Sequence, residues 1–287
     1  MTDGVVPPFF IHVPSGGQAP VIVASPHSGR HYMPEFLNMS RLDALALRRS
    51  EDCYVDRLFE GVTEQGATLL HATFPRAYCD ANREAWELDP TMFRDPLPHW
   101  CNTTSSKVRA GFGTIARIVS RDGPIYPRPL PFSEAETRIR TCWQPYHDAL
   151  SRLVQENMER HGCCILLDAH SMPAPRRRQA NLPDFVLGNA WGTACTPHLT
   201  ALVERKLVAH GYTVARNVPF AGGFVTRHYG RPRRGVQALQ LEISRALYMD
   251  QASLQPHGGF ETLQAVLTDL VASIVQYGGM LEQQAAE

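Results

Sequence analysis

The hydrophobic pattern of the chain alternates between short apolar runs and longer segments with helical periodicity. Short apolar runs followed by turn residues are typical of strands buried on both faces. Helical periodicity places apolar side chains on one stripe, as it does for Leu199, Val203 and Leu207. The predicted strands are Val21–Ala24, Cys163–Leu167, Phe185–Leu187 and Val236–Ile243, and the predicted helices cover residues 41–65, 133–161, 195–210 and 260–284.

This order of elements predicts the fold class. Strands that alternate with helices indicate an α/β fold with a mixed, mostly parallel sheet that is covered on both faces. We therefore expect a three-layer α/β/α arrangement. The length of 287 residues allows one large domain or two small ones. Because no internal repeat is visible, we predict a single catalytic domain over residues 1–287.

One long segment interrupts the alternation of strands and helices. Residues 85–131 are rich in proline, glycine and polar residues, and no long periodic element can be drawn through them. A loop of this length inside a domain is usually functional or disordered. We predict that residues 85–131 form an irregular excursion that covers an active site.

Composition excludes several classes of function. Lys plus Arg equals Asp plus Glu, at 28 each, so no overall field favours nucleic acid or an anionic membrane. No apolar run approaches the roughly 20 residues of a membrane-spanning helix, and the first residues lack the pattern of a signal peptide. The 7 cysteines are irregularly spaced, without Cys-x-x-Cys, which favours reduced thiols. We expect a soluble, cytoplasmic protein.

Two histidines follow predicted buried strands. His27 lies in Ser25-Pro26-His27-Ser28-Gly29, and His170 lies in Asp168-Ala169-His170-Ser171. Ligands of open α/β sheets bind beyond the carboxyl ends of the strands. A rigid strand fixes an imidazole as a zinc ligand, and a neighbour such as Asp168 can orient the ring. A single histidine at such a position would more often form only a hydrogen bond to a loop. Two histidines in the same position after two strands favour a metal site.

A third metal ligand is expected near residue 51. Catalytic zinc usually has three protein ligands, and a carboxylate is a common third. Glu51 and Asp52 precede a helical apolar face that includes Val55 and Leu58. Helical projection places Glu51 nearer the centre of that face. Either acid could instead complement a helix dipole in the first turn. These residues alone leave the choice open.

A carboxylate lies inside the last predicted strand, in Gln240-Leu241-Glu242-Ile243. Burying a carboxylate is costly unless it is paired or functional. A fixed and partly desolvated Glu242 would suit a general base that activates water at a metal. The alternative, a Glu242 that faces solvent or pairs with a nearby arginine, is about equally supported.

Asn82 and Arg83 form a dipeptide that could bind a carboxylate. A planar guanidinium recognises a carboxylate through two parallel hydrogen bonds, and an adjacent amide adds another donor. Such a pair near a metal would suit a substrate with a free α-carboxylate. The dipeptide is common, however, and by itself indicates little.

Six motifs occur in a specific order along residues 18–250. Each motif is weak alone, but the ordered set resembles the N-formylglutamate amidohydrolase family. The set consists of Ser25-Pro26-His27-Ser28-Gly29, Glu51-Asp52 with Val55-Asp56-Arg57-Leu58, Asp80-Ala81-Asn82-Arg83, Asp168-Ala169-His170-Ser171, Gly222-Gly223-Phe224-Val225-Thr226-Arg227-His228-Tyr229-Gly230 and Ala238-Leu239-Gln240-Leu241-Glu242.

The resemblance implies a zinc-carboxypeptidase-like (phosphorylase/hydrolase-like) fold and removal of the formyl group from an N-formyl amino acid. N-formyl-L-glutamate, giving L-glutamate and formate, is the expected substrate, and histidine catabolism is the expected setting. The resemblance also implies one Zn²⁺ per chain, with another divalent metal as the alternative. Its ligands would be His27, His170 and Asp52, so the resemblance favours Asp52 over Glu51. Glu242 matches the catalytic glutamate.

The resemblance also assigns residues to the substrate. Asn82 and Arg83 match a pair that holds the substrate carboxylate in the related carboxypeptidases. Arg227 and His228 fall in a segment that resembles a substrate-side loop. The expected partner is therefore a small N-formyl or N-acyl amino acid, and neither nucleic acid nor membrane is expected.

The chain departs from the family pattern at several positions, including Ala81, Ala116 and Gln237. These differences bear on the substrate more than on the chemistry. One alternative is a zinc amidase that acts on another N-acyl amino acid or on a cell-wall peptide. An alternative of another class is a metal-binding scaffold without turnover, which would need neither Glu242 nor Arg83.

Overall fold

The computed structural model describes residues 6–119, 123–174 and 182–286. Its strands within these ranges are short except for two of nine residues each, β6 and β9. The strands are β1 Phe9–His12, β2 Val21–Ser25, β3 Thr68–Ala72, β4 Ile118–Val119, β5 Gly123–Pro124, β6 Cys164–Met172, β7 Phe185–Gly188, β8 Val214–Arg216, β9 Val236–Ser244, β10 Met249–Asp250 and β11 Gln255–Pro256.

Seven strands form the main sheet, in the order β1-β3-β2-β6-β9-β7-β8. β2 is parallel to β6, β6 to β9, and β7 to β8. β7 runs antiparallel to β9. Every residue of β2, β6, β7 and β9 is buried, so both faces of the sheet are covered there. The predicted α/β class with a mixed, mostly parallel sheet is confirmed.

The α-helices of the described residues range from one turn to 28 residues. No described helix has both the length and the apolar character that crossing a membrane requires. α9 packs against α7 and α3. The helices are α1 Pro34–Met39, α2 Ala44–Arg48, α3 Val55–Leu58, α4 Ser106–Arg109, α5 Phe132–Arg138, α6 Gln144–His161, α7 Pro197–Ala209, α8 Phe224–Tyr229 and α9 Gly259–Ala286.

Two of the four predicted helices are observed nearly as drawn, as α7 and α9. The helix predicted over residues 133–161 is α5 and α6, joined by a π-helical turn at Ile139–Trp143. The helix predicted over residues 41–65 is wrong as one element. It is broken into α2, α3 and a 3₁₀ turn at Glu60–Gln65, and Tyr54 before α3 has the left-handed φ of 63°. A continuous helix cannot pass through that conformation.

β6 is longer than the strand predicted at Cys163–Leu167. It continues to Met172, so Asp168 and His170 lie inside the strand rather than beyond its end. The apolar run stops at Leu167, but the polar residues that follow are buried because they bind one another and neighbouring elements. The pattern also failed to predict β1, β3 and β8.

Residues 85–131 are irregular, as predicted. Within their described part, the regular elements are α4, the short β4 and β5, and a 3₁₀ turn at Pro90–Met92. This excursion nevertheless has an apolar core of its own, which explains how it is ordered without long elements. Its buried members are Leu88, Met92, Phe93, Cys101, Ile115 and Leu130, and they pack with Ala135 of α5.

The chain divides into two compact units. The first includes residues Pro26–Cys53 and His71–Ala149, and the second includes Tyr54–Leu70 and Leu150–Glu287. The second contains most of the sheet, and the first contains the excursion. A single catalytic domain stays a prediction, as does the covering of an active site by the excursion.

All seven cysteines are buried free thiols, as the sequence predicts. Burial raises the pKa of Cys142 to about 11 and that of Cys164 to about 12. It likewise raises the pKa of Cys195 to about 11. These thiols are therefore protonated and unreactive in the folded protein at neutral pH.

Candidate active site

His27 follows β2 and lies between two carboxylates. Its Nε2 is 2.6 Å from Oδ1 of Asp80, and its Nδ1 is 3.4 Å from Oδ2 of Asp52. All three side chains are buried. Because a carboxylate only accepts hydrogen bonds, Nε2 carries the proton in the neutral ring, and the lone pair on Nδ1 faces Asp52. This is the orientation that metal-binding histidines have when a carboxylate holds their other nitrogen.

Asp52 and Glu51 are adjacent and both buried, but they have different partners. The backbone N–H of Asp52 donates to the carbonyl of His27, which places Asp52 beside that imidazole. Glu51 accepts hydrogen bonds from Nε of Arg48 at 3.1 Å and from the thiol of Cys53 at 3.2 Å. The projection that favoured Glu51 assumed a helix at this point, whereas α3 begins only at Val55.

Asp80 is a candidate site residue to which the sequence assigned no role. Burial alone would raise its pKa, but the interactions with His27, Arg76 and Arg83 outweigh burial and hold the pKa of Asp80 well below its usual range. Nη2 of Arg76 lies 2.9 Å from its Oδ2, and Nη2 of Arg83 lies 4.0 Å away. The only hint in the sequence was its place directly before Ala81-Asn82-Arg83.

The turn that carries Asn82 and Arg83 is fixed by backbone contacts. The N–H of Asn82 donates to Oδ1 of Asp80 at 2.8 Å. Nε of Arg83 donates to the carbonyl of Phe112 at 2.9 Å, and Nη1 donates to the carbonyl of Asn82 at 2.7 Å. Phe112 belongs to the excursion, so that segment helps to orient Arg83.

Two side chains after α5 support the same turn. Nε1 of Trp143 donates to the carbonyl of Arg83 at 2.9 Å. Nε2 of His147, which is buried, lies 2.8 Å from the carbonyl of Ala81 and donates to it. The rings of Trp143 and His147 are in contact, with centroids 4.0 Å apart. The first unit thus holds Arg83 and Asp80 in a defined geometry.

In the second unit, β6 and β9 place four polar side chains in two rows. Asp168 is the register partner of Gln240, and His170 is the register partner of Glu242. Residues two apart on a strand share a face, so all four side chains lie on one face of the sheet. Nε2 of His170 donates to Oδ1 of Asp168 at 2.8 Å. Asp168 therefore makes the contact that the suggested orienting role requires, and the role itself stays a prediction.

Glu242 lies near the carboxyl end of β9 and is buried, with 8% of its surface exposed, so a solvent-facing side chain is excluded. Its Oε1 accepts a hydrogen bond from Nε2 of Gln240 at 2.8 Å. Oε1 of Gln240 in turn accepts from the backbone N–H of Gly223 at 2.7 Å. The carboxylate of Glu242 is thus tied to the residue that precedes α8.

Arg227 and His228 lie on the exposed side of α8. Nε of Arg227 donates to the carbonyl of Gly222 at 3.1 Å. His228 stacks on Phe224, and burial together with the charge of Arg231 lowers the pKa of His228. The substrate roles of Arg227 and His228 stay predictions.

Among the described residues, His27, Asp52 and His170 form a buried group in which one ligand atom of each lies within 4.8 Å of the others. Two imidazoles and a carboxylate are a common donor set for catalytic zinc. Both imidazoles also have a carboxylate on Nε2, from Asp80 and Asp168 respectively. The group could therefore bind a metal.

An α/β sheet with such a group, and a buried glutamate on the strand next to one of its histidines, is typical of hydrolases that use a metal. Sequence comparison identifies the family to which the chain belongs. The pattern of the N-formylglutamate amidohydrolase family matches residues 19–249, and the chain belongs to this family.

Individual relatives cover nearly the whole chain. An N-formylglutamate deformylase of Pseudomonas aeruginosa is 29% identical over 270 residues, which are 91% of this chain and 95% of that protein. A deformylase of the same description from Pseudomonas putida is 27% identical and covers 91% of this chain and 94% of its own length.

Solved structures agree. The N-formylglutamate amidohydrolase of Ralstonia eutropha JMP134 superimposes with a TM-score of 0.89 at 40% identity, covering 95% of this chain and 98% of that one. A protein of Agrobacterium tumefaciens, at 16% identity and a TM-score of 0.69, shares the fold. That likeness shows the fold alone.

Proposed function

We propose that this protein hydrolyses N-formyl-L-glutamate to L-glutamate and formate. In this proposal the reaction uses one bound divalent metal ion, and zinc is the expected metal. Membership of the N-formylglutamate amidohydrolase family supports the reaction and the substrate. The observation that carries the metal is the buried group of His27, Asp52 and His170.

In this proposal, His27, Asp52 and His170 hold the metal. Asp80 and Asp168 fix the two imidazoles by accepting the Nε2–H hydrogen bonds. When bound, the metal supplies an activated water and polarises the formyl carbonyl.

Glu242 is the general base and then the general acid. Its carboxylate accepts a proton from water as the water oxygen attacks the formyl carbon. Glu242 then gives that proton to the amide nitrogen as the carbon–nitrogen bond breaks, which yields formic acid and the free amine. The amine takes up the proton of the formic acid, so the products are formate and an ammonium group. Burial suits this role, because it keeps bulk water away from the proton transfer.

Arg83 and Asn82 bind the α-carboxylate of the substrate. Arg83 is suited to this because two of its nitrogens are already fixed on backbone carbonyls, so little side-chain freedom is lost on binding. Arg227 and His228, exposed on α8, contribute further polar contacts to the substrate.

Two finer assignments belong to this proposal. Seven buried free thiols favour a reducing compartment, and we place the protein in the cytoplasm. The assignment to histidine catabolism rests on the family resemblance alone.

Metal analysis and a hydrolysis assay on the purified protein test the proposal. We expect one zinc per chain and release of formate from N-formyl-L-glutamate that a chelator abolishes and zinc restores. If zinc is bound but N-formyl-L-glutamate is not hydrolysed, the proposed substrate is wrong and another N-acyl amino acid is favoured. If neither metal nor turnover is found after zinc is added back, the scaffold without catalysis is favoured instead.

A further inference from the structure

The side-chain amide of Gln240 lies between Gly223 and Glu242. Oε1 of Gln240 accepts from the N–H of Gly223 at 2.7 Å, and Nε2 donates to Oε1 of Glu242 at 2.8 Å. The backbone N–H of Gly223 needs an acceptor, so the oxygen of the Gln240 amide must face Gly223. Only this orientation of the amide satisfies both hydrogen bonds. In that orientation its NH₂ group faces the carboxylate of Glu242.

Gln240 is buried, with 4% of its surface exposed, and it sits in the central strand β9. Gly223 is the residue that caps the start of α8. α8 also contacts Asp168, the neighbour of Gln240 on β6. The hydroxyl of Thr226 donates to Oδ2 of Asp168 at 2.9 Å. Asp168 and Gln240 are register partners, and each lies two residues before a proposed catalytic or metal-binding residue.

We propose that Gln240 is a positioning residue that fixes the carboxylate of Glu242 and links it to the start of α8. The inference rests on the proposed role of Glu242 as the base. A glutamate side chain has three rotatable bonds, and holding a reacting group in one geometry is a large part of catalysis. Gln240 itself needs no contact with substrate or metal, since it acts through Glu242.

Gln240→Met tests the inference, because methionine keeps the length of the side chain and removes both hydrogen bonds. We expect kcat to fall by about 10- to 100-fold, as a misplacement of about 1 Å does. KM for N-formyl-L-glutamate and the zinc content should stay as in the wild type. Wild-type kcat in this variant would overturn the inference.

Gln237→Met is the matched control in the same strand. Gln237 is equally buried, but its Oε1 accepts from the hydroxyl of Thr196 at 2.7 Å, and its Nε2 faces Tyr277. We expect a lower melting temperature with kcat unchanged. If Gln237→Met lowers kcat as much as Gln240→Met does, the loss of any buried glutamine hydrogen bond in β9 lowers activity. That result would overturn the inference.

A double variant distinguishes failure of the inference from failure of the proposed function. If Gln240 acts through Glu242, adding Gln240→Met to Glu242→Gln should not lower the residual rate further. A further loss of the same size would overturn the inference alone. Full activity of Glu242→Gln by itself would overturn both the assignment of Glu242 as the base and the inference that depends on it.

Discussion

His170 and Glu242 are register partners on the adjacent parallel strands β6 and β9, and both side chains are buried. Neighbouring strands of a sheet lie about 4.8 Å apart. The separation between a proposed metal ligand and the proposed base is therefore set by the hydrogen bonds of the sheet, not by a loop. A site on rigid elements keeps such a separation better than a site on loops.

Glu242→Gln should keep the metal and lose hydrolysis. Glutamine has nearly the same shape, but it cannot accept the proton of water. We expect kcat to fall by about 100- to 10,000-fold, which is the usual contribution of a general acid–base group. Formate release and elemental analysis of the same preparation measure the two properties. Full activity, or loss of the metal, would contradict the role assigned to Glu242.

Asp52→Asn and Glu51→Gln form a matched pair of neutralising substitutions at adjacent buried acids. Asp52→Asn should weaken zinc binding by more than about 100-fold, the upper end of what residues behind the ligands contribute. Glu51→Gln should leave zinc binding intact. It should cost about 1–3 kcal/mol of stability, because Arg48 loses the charge of its partner. Zinc titration and urea unfolding measure both, and the reverse pattern would make Glu51 the ligand.

Arg83→Ala should raise KM for N-formyl-L-glutamate by about 10- to 100-fold, the equivalent of one charge-assisted hydrogen bond. The α-amide of the same substrate lacks the charge that Arg83 would bind. With that amide, the wild type and the variant should have similar KM values. An equal rise for both substrates would show that Arg83 supports the turn and does not bind the carboxylate.

The buried thiols should make the protein less stable at high pH. Burial raises the pKa of Cys142 and Cys195 to about 11 in the folded state, against about 8.5 in an unfolded chain. A group with a raised pKa stabilises the fold fully below its unfolded pKa, and this contribution is lost as pH rises through the folded pKa. We therefore expect the midpoint of urea unfolding to fall between about pH 8.5 and pH 11.

A thiol reagent checks the same burial at constant pH. At pH 8, a disulfide reagent such as dithionitrobenzoate should react with none of the seven cysteines of the folded protein and with all seven in urea. Fast reaction of any cysteine in the native state would contradict the burial of that thiol.

Much of the fold was predictable, because β2, β7, β9, α7 and α9 follow local periodicity. Local periodicity does not show where a strand continues through polar residues. β6 extends past Leu167 because its backbone pairs with β9 as far as Met172, and that pairing exists only in the folded sheet.

The candidate site was predictable to a different extent. His27 and His170 were found from their places after apolar runs, but Asp52 required the family resemblance, because projection assumed a helix that begins only at Val55. The contact of Asp80 with His27 joins residues 53 positions apart. No local pattern predicts it.

The supports of the Arg83 turn have a consequence for how this protein tolerates change. Trp143 and His147 hold the turn through the carbonyls of Arg83 and Ala81, which every amino acid possesses. These two hydrogen bonds therefore do not depend on the side chains at positions 81 and 83, and the full burial of Ala81 limits that position to a small residue. Loss of these two contacts requires a change at Trp143, in the π-helical turn, or at His147, in α6, about 60 positions away along the chain.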